Sequence, residues 1–268
     1  MTHNSGGAYV TKIELFRYQI FAPPDVPMAT TSREKRKLRR QLDMTAKAVE
    51  FESPSGINPF HPKTTTQEDL WTSLNKNTVS LAIGPAGTGK TLVALWFGIS
   101  GLQQRHFSKV IYVRSDVGCA FQRGRGALPG DLEAKMAPLM GPVLDNLDVI
   151  SKSHGFAQYL ISKKILEPIL LEDVRGRSFN DSLIIVDEAQ NMTPDQVKTC
   201  LSRVGENSKM IVTGDTRQID LGVFHTDNGL VDAWNRLARL NTVGRVQFSH
   251  EDIVRNGVIA DILRLYED

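Results

Sequence analysis

Gly84-Pro85-Ala86-Gly87-Thr88-Gly89-Lys90-Thr91 satisfies the pattern GxxxxGK(S/T) at every fixed position. Residues 78–83 before it are a short apolar run rich in strand formers, and residues 90–104 after it carry a helical pattern. A strand, a glycine-rich turn and a helix in that order are what the pattern needs. Gly87 and Gly89 let the backbone turn and bring its N–H groups close to phosphate oxygens, while the new helix presents its positive end. Lys90 is spaced to reach the β- and γ-phosphates, and the Thr91 hydroxyl to ligate Mg²⁺. Four fixed positions arise by chance in about one chain of this length in a hundred, and the flanking strand and helix make chance rarer still. The stretch predicts binding of a nucleoside triphosphate, with residues 84–91 as its cradle.

Strands and helices alternate on both sides of this loop. A helix is expected over 66–74, with Thr66 as its cap and Glu68 and Asp69 in its first turn. Strands are expected over 109–113, 169–171, 183–187, 210–213 and 245–248. Helical patterns cover 130–150 (interrupted at Pro138 and Pro142), 156–166, 228–240 and 251–266, and another helix starts at Thr193-Pro194. Continuous apolar strands alternating with helices predict an α/β fold: a mainly parallel sheet with helices on both faces.

The chain has 268 residues, with 32 Lys+Arg against 30 Asp+Glu, 41% hydrophobic and 23% charged residues. These are ordinary globular values; they exclude wholesale disorder and leave room for one large domain or a domain plus an extension. Arg33-Glu34-Lys35-Arg36-Lys37-Leu38-Arg39-Arg40 carries six positive charges against one negative. A turn-rich stretch follows at 53–62. The reading is therefore a basic extension, partly disordered or helical, over residues 1–60, and a nucleotide-binding domain over 61–268. Cys119 and Cys200 stand far apart without a CxxC, which argues against a disulfide framework or a thiolate zinc site. No window approaches 18 apolar residues and the first ten show no leader pattern, so a cytoplasmic protein with no membrane partner is expected.

The apolar run 183–186 ends in Asp187-Glu188-Ala189-Gln190. That puts Asp187 at the carboxyl edge of a buried strand, beside the loop if the two strands are near neighbours, where it can hold Mg²⁺ through water. Glu188 points differently and can act as general base on an attacking water. A hydrolytic base argues against a small-molecule kinase. Thr213-Gly214-Asp215-Thr216-Arg217-Gln218 follows the next strand, and the Gln218 amide is placed to sense the γ-phosphate. Gln67, seventeen residues before Gly84, could bond the N6/N7 edge of adenine. Trp96, on the helix after the loop, reads as core.

Four segments, GPAGTGKT (84–91), LPGDLEAKM (128–136), RGRSFNDSLIIVDEAQNMTPDQ (175–196) and SKMIVTGDTRQIDL (208–221), resemble the PhoH family of ATPases, related to the core of superfamily 1 helicases. The likeness runs from about residue 60 to the C-terminus. It implies a RecA-like sheet, ATP and Mg²⁺ as ligands, ATP hydrolysis, assembly into a homo-oligomeric, hexameric ring, and action on RNA or single-stranded DNA. Carried over, Gly84, Pro85, Ala86, Gly87, Thr88, Gly89, Lys90 and Thr91 form the phosphate loop. Thr91 and Asp187 hold the metal, Glu188 is the base, Gln218 the sensor and Gln67 the adenine reader. Arg255, in an Asp-Ile-Val-Arg context, is the arginine finger ahead of Arg203, Arg217 and the pair Arg175 and Arg177. The sequence departs from the family at Ser115, at Arg123 and Arg125, and at Asn256-Gly257. Nucleic-acid phosphates would meet the basic run 33–40, Arg123 with Arg125, or Arg175 with Arg177. One RecA-like core fits in this length where superfamily 1 motors use two. The alternative reading is a nucleotide-gated binding or assembly protein whose turnover is incidental.

Overall fold

Apolar strand formers on either side of the glycine-rich loop become inner strands of a six-stranded sheet in the computed structural model, which describes residues 57–114, 132–151, 153, 155–217 and 228–254, the side chains of 132–139 excepted. The described helices are α1 (Thr65–Lys76), α2 (Lys90–Gln103), α3 (Leu132–Ile150), α4 (Phe156–Ser162), α5 (Pro194–Leu201) and α6 (Gly229–Leu237). The strands are β1 (Val79–Ile83), β2 (Lys109–Arg114), β3 (Leu166–Leu170), β4 (Ser182–Asp187), β5 (Lys209–Gly214) and β6 (Val243–Gln247). They lie in the order β3-β2-β4-β5-β1-β6 and every pairing is parallel. The expected parallel sheet with flanking helices is therefore present. Register pairs Ile83 with Gly214 and with Gln247, and Arg114 with Asp187, so the carboxyl ends form one continuous edge.

Both faces of the sheet are buried, which is why β4 reads as an unbroken apolar run. Leu183 and Ile185 enter one core with Leu70, Val93, Leu95, Tyr112 and Ile211, beneath α1, α2, α3 and α4. Ile184 and Val186 enter the other with Leu81, Ile83, Val113, Val197 and Leu230, beneath α5 and α6. Truncating a fully buried leucine such as Leu95 to alanine costs about 2–5 kcal/mol. Two packed faces thus hold the strand ends, and the loops on them, in fixed register. Among the described residues no helix is long and apolar enough to cross a membrane.

Some local expectations are corrected. The cap of α1 is Thr64, not Thr66: Thr64 is extended (φ −135°, ψ 157°) and its hydroxyl accepts from Gln67 N. Of three consecutive threonines, it alone has glutamine three residues on. Pro138 and Pro142 do not interrupt α3. Each proline forfeits one backbone bond, but Met140, Val143, Leu147 and Ile150 form a buried stripe against the rest of the core, and that packing outweighs the local loss. The strand expected at 169–171 starts at Leu166, because Lys164 turns the chain at φ 55° just after α4. In place of a helix from 251, residues His250–Asp252 form a single 3₁₀ turn and Ile253 and Val254 are not helical; the remainder of that stretch lies outside the described residues. Ile57 bridges to Ser151, Asn58 O accepts from Trp96 Nε1 at 3.0 Å, and Phe60 stacks on Trp71 at 4.5 Å. Trp96 is core, as read.

Candidate functional site

The phosphate loop leaves β1 at Ile83, and Gly84 N donates to Gly214 O at the end of β5. Gly89 caps α2 at φ 86°, a left-handed conformation that glycine adopts without strain. A Cβ there would lie 2.7 Å from Gln67 Nε2, so only glycine leaves room for the neighbouring amide. Gln67 is buried; its Nε2 donates to Thr88 O at 2.9 Å and its Oε1 accepts from Lys63 N at 2.9 Å. The helix thereby latches the loop. Lys90 Nζ donates to Gly84 O (2.6 Å), Pro85 O (2.7 Å) and Thr88 Oγ1 (3.3 Å). Burial pulls the Lys90 ammonium below its ordinary pKa, while the carboxylates of Asp215, Asp187 and Glu188 act in the opposite sense.

Asp187 is the most densely bonded carboxylate of the site. The Thr91 hydroxyl lies 3.2 Å from both of its oxygens. Tyr112 Oη donates to Oδ2 at 2.8 Å, and Thr213 Oγ1 and Glu188 N donate to Oδ1. Burial, then the adjacent Asp187, raises the Tyr112 phenol well above its usual pKa, so it remains a donor. Glu188 sits at φ 55°, a conformation costing a non-glycine residue about 1–2 kcal/mol, and its carboxylate is braced from two sides. Arg114 Nη2 lies 3.7 Å from Oε1, and Gln190 Nε2 donates to Oε2 at 2.6 Å. Gln190 Oε1 in turn accepts from Asp215 N at 3.1 Å, tying the Glu188 carboxylate to the turn after β5. Asp215 is 5% exposed; its Oδ1 accepts from Arg217 N, and its Oδ2 has no hydrogen-bond partner among the described residues.

The segment after β6 straps the other side of the loop. Val254 N donates to Gly87 O at 3.1 Å, and Ser249 N donates to Asp252 Oδ2 at 2.8 Å. Burial pushes the Asp252 carboxyl up, but hydrogen bonds from Ser249 N and from the Thr66, Thr64 and Ser249 hydroxyls prevail and hold it below its ordinary pKa. A cavity of about 410 Å³ opens between the start of the loop, the turn at Asp215–Arg217 and the segment Phe248–His250.

The structure thus gathers Gln67, residues 84–91, Asp187 and Glu188 along one sheet edge. The loop strand and the carboxylate strand are not direct neighbours, since β5 lies between them. The first turn of α2 spans that gap and carries Thr91 to Asp187. Gln218, Arg255, the run 33–40, Arg123 and Arg125 lie outside the described residues. Arg177 pairs with Glu167 at 2.8 Å and covers the Phe179 ring, and Arg203 donates to Arg177 O. That group belongs to the amino-terminal half of β3, away from Asp187. Arg217 Nη1 lies 3.1 Å from His250 Nε2 at the cavity rim. Arg114, Tyr112, Gln190, Thr213 and Asp215 join the site without a motif of their own in the sequence. A polar residue interrupting or ending a buried strand was the available signal for Tyr112, Arg114 and Thr213. Thr91 and Asp187 offer Mg²⁺ hard oxygen donors of the kind it takes from protein alongside phosphate and water, so they fit that ion.

The model of the PhoH-like protein family matches residues 59–267. A PhoH-like protein of Bacillus subtilis is 38% identical over 208 residues, covering 76% of this chain and 63% of that protein. One of Mycobacterium leprae is 35% identical over 207 residues (77% and 58%), and protein PhoH of Escherichia coli K12 is 34% identical over 213 (78% and 58%). The chain spans about three fifths of the length of these relatives. Among solved structures, the large terminase of a thermophilic bacteriophage aligns over 78% of this chain and 50% of its own, at 14% identity and a TM-score of 0.49.

Proposed function

The chain belongs to the PhoH-like protein family, and from that premise we propose that it is a Mg²⁺-dependent ATPase acting on RNA or single-stranded DNA as a homo-oligomeric, hexameric ring. The observation that carries the reading is the contact between Thr91 and Asp187 across an intervening strand, with Lys90 and Glu188 beside them. A phosphate loop, a metal carboxylate and a candidate base share one edge.

In this reading the loop N–H groups, the α2 N-terminus and Lys90 bind the phosphates. Thr91 and Asp187 hold Mg²⁺, which when bound neutralises charge on the β- and γ-phosphate oxygens. Glu188 orients the attacking water and takes its proton, with Arg114 and Gln190 fixing its direction. Gln218 senses the γ-phosphate. Arg255 of a neighbouring subunit supplies the remaining positive charge, worth about 10³–10⁵ in rate. Each end of the Gln67 amide has one hydrogen-bonding valence beyond its bonds to Lys63 and Thr88, enough to read adenine while the loop stays latched.

The test is steady-state ATP hydrolysis, with and without single-stranded RNA and DNA, on protein whose mass is measured at each concentration. Mg²⁺-dependent turnover that is stimulated by nucleic acid and rises per subunit with concentration is expected. Turnover indifferent to nucleic acid would favour the nucleotide-gated assembly reading, and concentration-independent activity from a monomer would rule out a finger supplied in trans.

A further inference from the structure

Three adjacent strands, β2, β4 and β5, each place a polar side chain on the face beneath α2: Asp187 and Thr213 at the strand ends, and Tyr112 two residues back, in register with Ile185. Tyr112 and Thr213 are 1% and 0% exposed, and Tyr112 follows Val110 into the apolar core on that face. A phenylalanine would fill the same space, so packing alone does not call for the hydroxyl. Its acceptor is Asp187 Oδ2, 75 residues away in sequence.

A carboxylate offers about four lone-pair directions. Around Asp187, three donors come from the strand framework: Tyr112 Oη, Thr213 Oγ1 and the backbone N–H of Glu188. The fourth is the Thr91 hydroxyl, the group that the proposed function assigns to the metal. Framework donors on both sides thus leave one acceptor direction, and it faces Thr91.

We propose that Tyr112 and Thr213 are positioning residues that hold the Asp187 carboxylate toward Thr91 and thereby set the affinity of the nucleotide site for its divalent cation. The proposal rests on the ATPase reading. Outer partners of metal-binding groups typically contribute about 10–100-fold to metal affinity, and here they are the neighbouring strands themselves.

The test is Mn²⁺ binding to the ADP complex, followed by electron paramagnetic resonance, beside ADP binding in EDTA and a thermal melt. Tyr112→Phe and Thr213→Val should each weaken Mn²⁺ about tenfold or more, with metal-free ADP affinity within about twofold of the parent. Thr213→Ser, which retains a hydroxyl, should restore Mn²⁺ affinity and provides the answer if Tyr112→Phe does not fold. Folded Tyr112→Phe or Thr213→Val binding Mn²⁺ as the parent does would overturn the proposal and leave the ATPase reading standing. A parent chain whose ADP complex binds no Mn²⁺ would overturn both.

Discussion

Replacing Gln67 with alanine probes how α1 holds the phosphate loop. The side chain is 3% exposed and makes two hydrogen bonds of 2.9 Å, to Thr88 O and from Lys63 N. Thr88 is fully buried, so its carbonyl loses a donor that water cannot readily replace, at a cost of about 1–3 kcal/mol. Lys63 is exposed, and its N–H recovers a water partner at little cost. The vacated volume adds about 1 kcal/mol for a buried methylene. Together these give a loss of about 2–4 kcal/mol, measured as a fall in unfolding free energy by urea titration. Nucleotide titrations on the same variant should show weaker binding of both ATP and GTP as the loop loosens, with the larger loss for ATP because the proposed adenine contact goes too. A stability change below about 0.5 kcal/mol, within the range of an ordinary surface substitution, would refute the latch. A loss of equal size for ATP and GTP would leave the latch and remove the adenine role.

Other consequences follow from individual contacts. In Gly214→Ala the new Cβ would press on Gln190 Oε1 and lie 2.6 Å from Leu230 Cδ2. Gln190 must then release Asp215 N or Glu188, and kcat should fall about tenfold, the equivalent of one hydrogen bond, with ATP affinity nearly unchanged in steady-state kinetics. The Asp252 carboxyl is held below its ordinary pKa, so its stabilisation is complete above the unfolded value of about 4 and disappears as pH falls through the folded value. Urea midpoints between pH 2 and pH 7 should therefore drop more steeply on acidification for the parent than for Asp252→Asn. Burial pushes the Cys200 thiol up to about 11, despite an opposing pull from Arg203. Iodoacetamide at pH 8 should leave native Cys200 unmodified and label it once urea unfolds the chain, as read by peptide mass.

Much of this architecture was legible because its signals are local. The loop announces itself in eight consecutive residues, and β4 in a run that both faces of the sheet bury. Thr193 and Pro194 announce the start of α5, where the structure has a full capping box. Strand order is not local. Nothing in residues 183–187 says that β5 separates them from β1, because that is settled by where the helices cross. The uninterrupted course of α3 through two prolines depends on packing that only the assembled core supplies. The braces of Asp187 and Glu188 were hidden for a similar reason. Gln190 lay within a quoted motif, yet its use depends on Asp215 arriving from another strand. Tyr112 looked like a core aromatic until Asp187, 75 residues on, came within 2.8 Å of its hydroxyl.

If this edge hydrolyses ATP with Glu188 as base, Glu188→Gln must abolish turnover while leaving binding in place. The substitution keeps size and removes the proton acceptor. ATP binding should stay within a few-fold of the parent by titration calorimetry with Mg²⁺, while steady-state turnover falls by about 10²–10⁴. A Glu188→Gln variant that binds ATP and still turns it over at the parent rate would contradict the account.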